Sequence, residues 1–410
     1  MYINMMELKN LVHKRQSGKK YVGLPFGSAV KYKRKEKNLT LEEACEGICS
    51  LSYLSKVENN NISASEEFIE KFKKKFDMKD AYDYDKDSFK IHIDQIIEAC
   101  LKDKKIDHNI VIYYDDRLDY QSLLVDFAYN VLDKNYEQAQ TAYKNLSELI
   151  YSMPQEPFMV TMILINHILY YEMRYTDGLE LLSMVERQQP YSNEISLLIQ
   201  KWKLLHGFKI NNPLLVSNLY QPYEKILIKK QLFEQVKITH MEHLLYKARF
   251  SSIEQMKNEI SGINNIDEAD KEYLMSVCHY HRGNYDKTLS ITSKYAEQSQ
   301  KWMAIHLISL DHLKEEKRIF DAIEKEVINK NPLCKLLKKH LMLKYKGTQE
   351  EIVNYIKQDI LIQDLCTEDY DILIYLMKDC ERLLTKFHFY KDAVSVYRHF
   401  LSKLYKISFT

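Results

Sequence analysis

Nine glycines and seven prolines in 410 residues leave this chain with few of the residues that let a backbone reverse tightly. Glycine supplies the left-handed conformations of tight turns and proline pre-sets others, so a sheet-rich fold of this length would need far more of both. The composition therefore predicts an all-α protein, with many helices joined by short polar loops. Apolar residues make up 45% of the chain and charged residues 29%, the balance of a globular protein. No apolar run approaches the roughly 20 residues that span a bilayer. The N-terminus lacks the apolar core of a secretory leader, which points to a cytoplasmic protein with no membrane partner.

The seven cysteines are odd in number and scattered, and a chain of this size needs no staples, so they read as reduced thiols. Cys45 and Cys49 form a CxxxC, but no second Cys or His pair stands at zinc-site spacing nearby, which favours burial over metal binding. Net charge is +1 overall, yet Met1 to Thr40 hold ten Lys or Arg against Glu7 and Glu36. Such a basic arm suggests a polyanion partner. Residues 1–24 form a basic extension, and residues 1–20, taken alone, also fit a disordered solubilising arm.

Residues 25–78 carry the sharpest local signals. FGSAVKYKRKEKN reads as a helix that closes near Asn38, and Thr40 with Glu43 forms a capping box over the short helix LEEACEG. After a tight ICS turn, Ser50 caps LSYLSKVEN, with Leu54 and Val57 inward and Asn60 standing in for the usual terminal glycine. A fourth helix, capped by Ser63 or Ser65, aligns Phe68, Ile69, Phe72 and Phe76. Two short helices joined by a tight turn, the second capped by a hydroxyl and small and polar outward, describe a helix-turn-helix. The major groove admits one helix whose N-terminal side chains must be small or hydrogen-bonding. Ser50, Ser52, Tyr53 and Lys56 fit that face, and Leu51 can meet a thymine methyl. Thr40 and Asn59 complete the DNA-facing set, and Lys31, Lys33 and Lys35 are candidates for phosphate contacts.

TLEEACEGICSLSYLSKVE, Thr40 to Glu58, resembles the helix-turn-helix of the phage-repressor and XRE class, most closely that of PlcR with its shorter turn ending in Ile-Cys. That resemblance implies a buried ion pair between Arg34 and Glu58, so Glu58 is structural. The extension before Phe26 has no counterpart in the pattern.

Residues 79–90 are acidic and read as a linker. From 91 to 410, apolar residues recur at three and four spacing, and weak repeats emerge in KNYEQAQTAYKNL, MRYTDGLELL, RGNYDKTLSITSKY and FHFYKDAVSVYRHF. Anchors at Tyr136, Tyr175, Phe208, Phe250, Tyr285, Ile319, Gln349 and Tyr390 give a mean period near 36 residues, close to the tetratricopeptide period of about 34. Phe208, Ile319 and Gln349 are the poorest of these anchors. Helix hairpins of this kind stack so that their first helices line a concave groove. The register turns Asn166, His167, Tyr170, Asn193, Gln200, Lys203, Gln235, Glu242, Tyr273 and Tyr280 toward that groove, where amides can pair with a peptide backbone.

A helix-turn-helix followed by such an array is similar in layout to the peptide-pheromone receptor regulators of Gram-positive bacteria, the Rap, Rgg, NprR, PlcR and PrgX group. The resemblance implies a homodimeric transcription regulator bound to double-stranded DNA and controlled by a short signalling peptide. The alternative is a scaffold whose repeats sequester a signalling protein. No Gly-rich phosphate loop, GxSxG or HExxH occurs, and neither an enzyme, a cofactor nor a metal is expected. HMEH (His240 to His243) and HYH (His279 to His281) lack a third ligand and read as packing or groove residues.

Overall fold

The computed structural model describes residues 3–15, 25–59, 61–78, 86–114, 119–150, 153–172, 174–188, 191–262, 266–325, 332–361 and 370–405. The described residues are all-α, twenty-three α-helices and one π-helical turn without a strand. They divide into two compact units: Met1–Glu172 with Asp177–Lys203, and Met173–Thr176 with Leu204–Thr410.

In the first unit, α1 (Met5–Arg15) precedes the head helices α2 (Pro25–Glu36), α3 (Leu41–Cys45), α4 (Leu51–Glu58) and α5 (Glu66–Phe76). The head closes over Phe26, Ala29, Val30, Leu54, Val57, Phe68, Phe72 and Phe76. Local chemistry fixes its ends. Thr40 and Glu43 form the capping box, Ser50 accepts from the Tyr53 amide, and Ser65 accepts from the Phe68 amide. The short helix stops at Cys45 rather than Gly47, because Gly47 turns into the left-handed region at φ 72°.

The basic extension is not simply a solvated arm. Ile3, Leu8 and Val12 of its described part are buried, the Arg15 guanidinium lies 4.2 Å from the centre of the Phe158 ring, and Lys9 pairs with Glu180 at 2.6 Å. Spacing of four between Leu8 and Val12 gives α1 an apolar face that packing can use. Residues 16–24 lie outside the described residues, as do Asn60 and Cys366. The expected linker is shorter than 79–90, since α6 (Lys86–Lys102) already begins at Lys86; residues 79–85 are not described.

The unit continues through α7 (His108–Tyr113) and the packed pair α8 (Tyr120–Leu132) and α9 (Tyr136–Ser147), then α10 (Gln155–Tyr171) and α11 (Tyr175–Glu186). α12 (Asn193–Lys209) runs out of the first unit, and α13 (Pro213–Lys229) belongs to the second. There follow the pairs α14 (Phe233–Ala248) with α15 (Ile253–Ser261), α16 (Glu268–His281) with α17 (Tyr285–Thr292), and α18 (Gln300–His312) with α19 (Glu316–Ile323). α20 (Pro332–Lys346) with α21 (Gln349–Tyr355), and α22 (Tyr370–Lys386) with α23 (Tyr390–Tyr405), complete the unit. Leu307, Ile308, Leu337, Leu376 and Phe400 belong to one core and Leu244, Met256, Leu274 and Trp302 to another.

Five of the eight periodic anchors, Tyr136, Tyr175, Tyr285, Gln349 and Tyr390, open the second helix of a pair. Phe208, Phe250 and Ile319 are displaced from the true starts at Pro213, Ile253 and Glu316. The scarcity of glycine also has a structural counterpart. Lys134, Asn211, Gln231, Lys314 and His388 adopt positive φ in the turns between consecutive helices, where among the described residues Gly47 and Gly283 are the glycines that do so. Each such side chain in the left-handed region costs about 1–2 kcal/mol, which the packing of the helix pairs has to offset.

Candidate nucleic-acid interface and groove

α4 owes its position to two anchors. The first is the Arg34–Glu58 pair: Nε donates to Oε1 at 2.7 Å, Nη2 donates to Oε2 at 2.8 Å, and Nη1 donates to the Leu39 carbonyl at 2.8 Å. Glu58 is buried, and a two-pronged charged pair of this geometry fixes both distance and rotation of the helix. The second anchor is Tyr53, whose ring lies 5.1 Å from Phe68 and whose hydroxyl accepts from the Ser65 amide at 2.9 Å. Tyr53 is thereby tied to the fold of the head, with its ring half-buried. Lys75 of α5 adds a third tie by donating to the carbonyls of Glu43, Ala44 and Glu46 at 2.9, 3.2 and 3.0 Å, at the C-terminal end of α3.

What remains exposed on α4 is Ser50, Leu51, Ser52 and Lys56. Ser52 and Lys56 stand four apart and share a face, and Leu51 is 48% exposed, a large apolar group left in solvent at the N-terminal turn. Thr40 is exposed, with its hydroxyl engaged in the capping box. Asn59 is half-buried with its amide 3.5 Å from the Ser55 hydroxyl, and Lys33 pairs with Glu36 at 2.8 Å.

Lys31 does not face outward. It is buried and its ammonium donates to the Glu148 carbonyl at 2.7 Å, while the Ser28 hydroxyl accepts from the Tyr120 amide at 3.1 Å. Burial, with Lys35 adding to it, pushes the Lys31 pKa down to about 7. Lys35 pairs with the Glu148 carboxylate. Both lysines thus fasten α2 to the end of α9, and Lys31 leaves the phosphate-facing set. Sequence reasoning missed this because the helix KYKRKEK is charged all round, and nothing local says which lysine is covered.

The ten expected groove residues separate. Asn166 and His167 are core residues of α10: His167 packs between a tilted Tyr171 ring and the edge-on Trp202, with ring centres 4.9 and 5.0 Å away, and burial lowers its pKa to about 3. Tyr170 packs on Trp202 at 5.3 Å, Gln200 is half-buried, Asn193 is exposed, and Lys203 pairs with Glu186 at 2.5 Å. Gln235 is buried. Glu242 and Tyr273 line a cavity of about 550 Å³ with Ile238, Met241, Leu245 and Arg249. Tyr280 lines a second cavity of about 590 Å³. Asp371 borders both.

The floor of these cavities is built from charges that periodicity did not single out. Asp371 accepts from the His281 ring at 2.8 Å and lies 3.4 Å from Arg249. Asp311 accepts from Lys344 at 2.6 Å and from the Tyr345 hydroxyl at 2.9 Å. Asp379 meets the His340 ring at 2.8 Å, Lys344 at 2.9 Å and Arg382. Burial works against both charges, but Arg249 and His281 hold the Asp371 carboxyl down to about 2, and His340 and Lys344 hold Asp379 well below the usual carboxylate range. The available signal was DYDILIYLMKDC: Asp371, Tyr375 and Asp379 at four-residue spacing form one helix face, and all three are buried. His240 meets the Tyr220 hydroxyl at 2.9 Å, and His243 stacks 3.7 Å from the Tyr220 ring. Cys45 is buried and Cys49 half-buried. Among the described residues no His, Cys, Asp or Glu group is arranged to hold a metal, and no helix is long and apolar enough to cross a membrane.

Comparison with protein families matches residues 30–81 to a helix-turn-helix family. No curated protein and no solved structure matches the chain. The matched segment contains the capped α3, the turn at Gly47, α4 and the Arg34–Glu58 pair, and it supports a DNA-binding transcription regulator.

Proposed function

We propose that the protein is a cytoplasmic, sequence-specific transcription regulator whose repeat domain resembles a tetratricopeptide array and binds a short signalling peptide that controls DNA binding. The observation that carries the DNA half is the face of α4: Ser52 and Lys56 exposed on a helix whose opposite side is pinned by Arg34–Glu58 and by Tyr53. A rigid helix with small polar residues outward is what the major groove admits. The peptide half is supported by the two cavities of the second unit, which hold Glu242, Tyr273 and Tyr280 among buried, paired charges.

The functional form is a homodimer. Tyr390, Val394 and Tyr397 stand exposed at four and three spacing on α23, an apolar face suited to a second copy. Two heads would then read half-sites about one helical turn apart. Peptide binding changes DNA binding only insofar as the two arrangements of the dimer differ in peptide affinity.

The deciding measurement is binding of the full chain to DNA from its own upstream region across a salt series. Salt-sensitive, sequence-preferring binding is expected, and Ser52→Ala with Lys56→Ala should lower discrimination by about 1–3 kcal/mol per lost base contact while leaving the fold intact. Binding that ignores sequence in the parent protein would reject the reading and leave the repeats as a protein-sequestering scaffold.

A further inference from the structure

Lys378, Arg382 and Lys386 stand at four-residue spacing on α22, and all three line the cavity of about 590 Å³. Like charges four apart on a helix repel, at a few tenths of a kcal/mol per pair. The three side chains are exposed, so the core does not require them. Lys314, from the turn after α18, and Lys344 of α20 line the same cavity. The cavity's carboxylates are all engaged: Asp311 by Lys344 and Tyr345, Asp371 by His281 and Arg249, Asp379 by His340, Lys344 and Arg382. Among the described residues, Lys314, Lys378 and Lys386 have no carboxylate within ion-pair distance. The uncompensated charge of this cavity is therefore positive. The neighbouring cavity, which shares Asp371, carries Ile238, Met241 and Leu245 of α14, spaced by three and four and hence on one face.

We infer that the second unit binds its peptide with a fixed polarity: the free C-terminal carboxylate lies along Lys378, Arg382 and Lys386, and an apolar side chain occupies the stripe on α14. The inference rests on the peptide reading of the repeat domain and deepens it. A nucleotide would satisfy the cations but leave the apolar stripe, in a second cavity of similar volume, without an occupant.

The test uses the full chain and fluorescein-labelled heptapeptide pools, randomised over apolar residues and made either as free acids or as C-terminal amides. Fluorescence anisotropy should give the free-acid pool about tenfold tighter binding, with the gap narrowing as salt screens the cations. Lys378→Ala with Lys386→Ala, both exposed, should abolish the gap by lowering free-acid binding to the level of the amide. Equal binding of acid and amide by the parent protein would overturn the polarity and leave the peptide reading standing. Binding of neither pool would remove both, and tight binding of ATP in their place would assign the cavity to a nucleotide.

Discussion

Among the described residues both units bury carboxylates, Glu58 and Asp119 in the first, but buried lysines stand in the first alone. In the first, the buried lysines sit at helix C-termini: Lys31 on the Glu148 carbonyl after α9, and Lys201 on the carbonyls of Cys100 and Leu101 at the end of α6, at 2.9 and 3.2 Å, with Asp103 at 2.6 Å. Those ends carry unsatisfied carbonyls and partial negative charge, which a cation neutralises. In the second unit the buried charged side chains among the described residues are the carboxylates Asp311, Asp371 and Asp379, each held by cations. A lysine on a helix end locks one element to another. A carboxylate gathering several cations around a cavity also sets the sign of what may enter it.

Removing one member of each arrangement should break the comparison apart. Asp379→Ala leaves Lys344 and His340 without their shared partner, and loss of about 3–5 kcal/mol is expected, as for any buried pair cut in half. Arg34→Ala should cost the head a similar amount, because Glu58 is buried. Lys201→Met, which removes a helix-end contact but keeps the apolar stem, should cost only about 1–2 kcal/mol. Denaturant melts can follow the units separately: the two tryptophans are divided, Trp202 in the first and Trp302 in the second, so Trp→Phe variants give single-unit probes. Equal losses at Asp379 and Lys201 would erase the distinction.

Acidity should separate the units next. Folding lowers the pKa of Asp371 and Asp379, so the unfolded chain binds more protons below about pH 4. Their stabilisation is complete above that value and is lost as pH falls toward 2, and the Trp302 signal should report it. Lys31 works at the other end. Its folded pKa near 7 lies below the unfolded value of about 10.4, so stability of the first unit should rise as pH increases from 7 to 10. Lys31→Met should flatten that slope, and an unchanged slope would remove Lys31 as its source.

The smallest effect concerns the turns. Gln231 is an exposed left-handed residue, and Gln231→Gly should stabilise by at most about 0.5–1 kcal/mol, the relief of strain less the entropy glycine adds to the unfolded chain. Gly47→Ala should go the other way by about 1 kcal/mol, weakening the turn that presents α4.

Much of the head could be read from the chain because its signals are local. Thr40, Glu43, Ser50 and Ser65 cap neighbours three residues away, and Phe68, Phe72 and Phe76 follow helical spacing. The DNA-facing set was less legible. Tyr53 and Lys31 look like surface groups in sequence, but their partners, Ser65 with Phe68 and Glu148, are 12 or more residues away. Two of the expected groove residues, Asn166 and His167, are buried for the same reason. A one-position uncertainty in helix register turns a groove side chain into a core one, as at Asn166 and His167.

The sequence by itself determined that the described residues are helical and where α4 begins and ends, since each depends on residues three or four apart. Tertiary structure decided which lysines are anchors, which acids pair, and where free positive charge remains. Those outcomes depend on contacts such as His281–Asp371 and Arg34–Glu58, 90 and 24 residues apart, and burial sets the worth of each charge only once those distant helices have met.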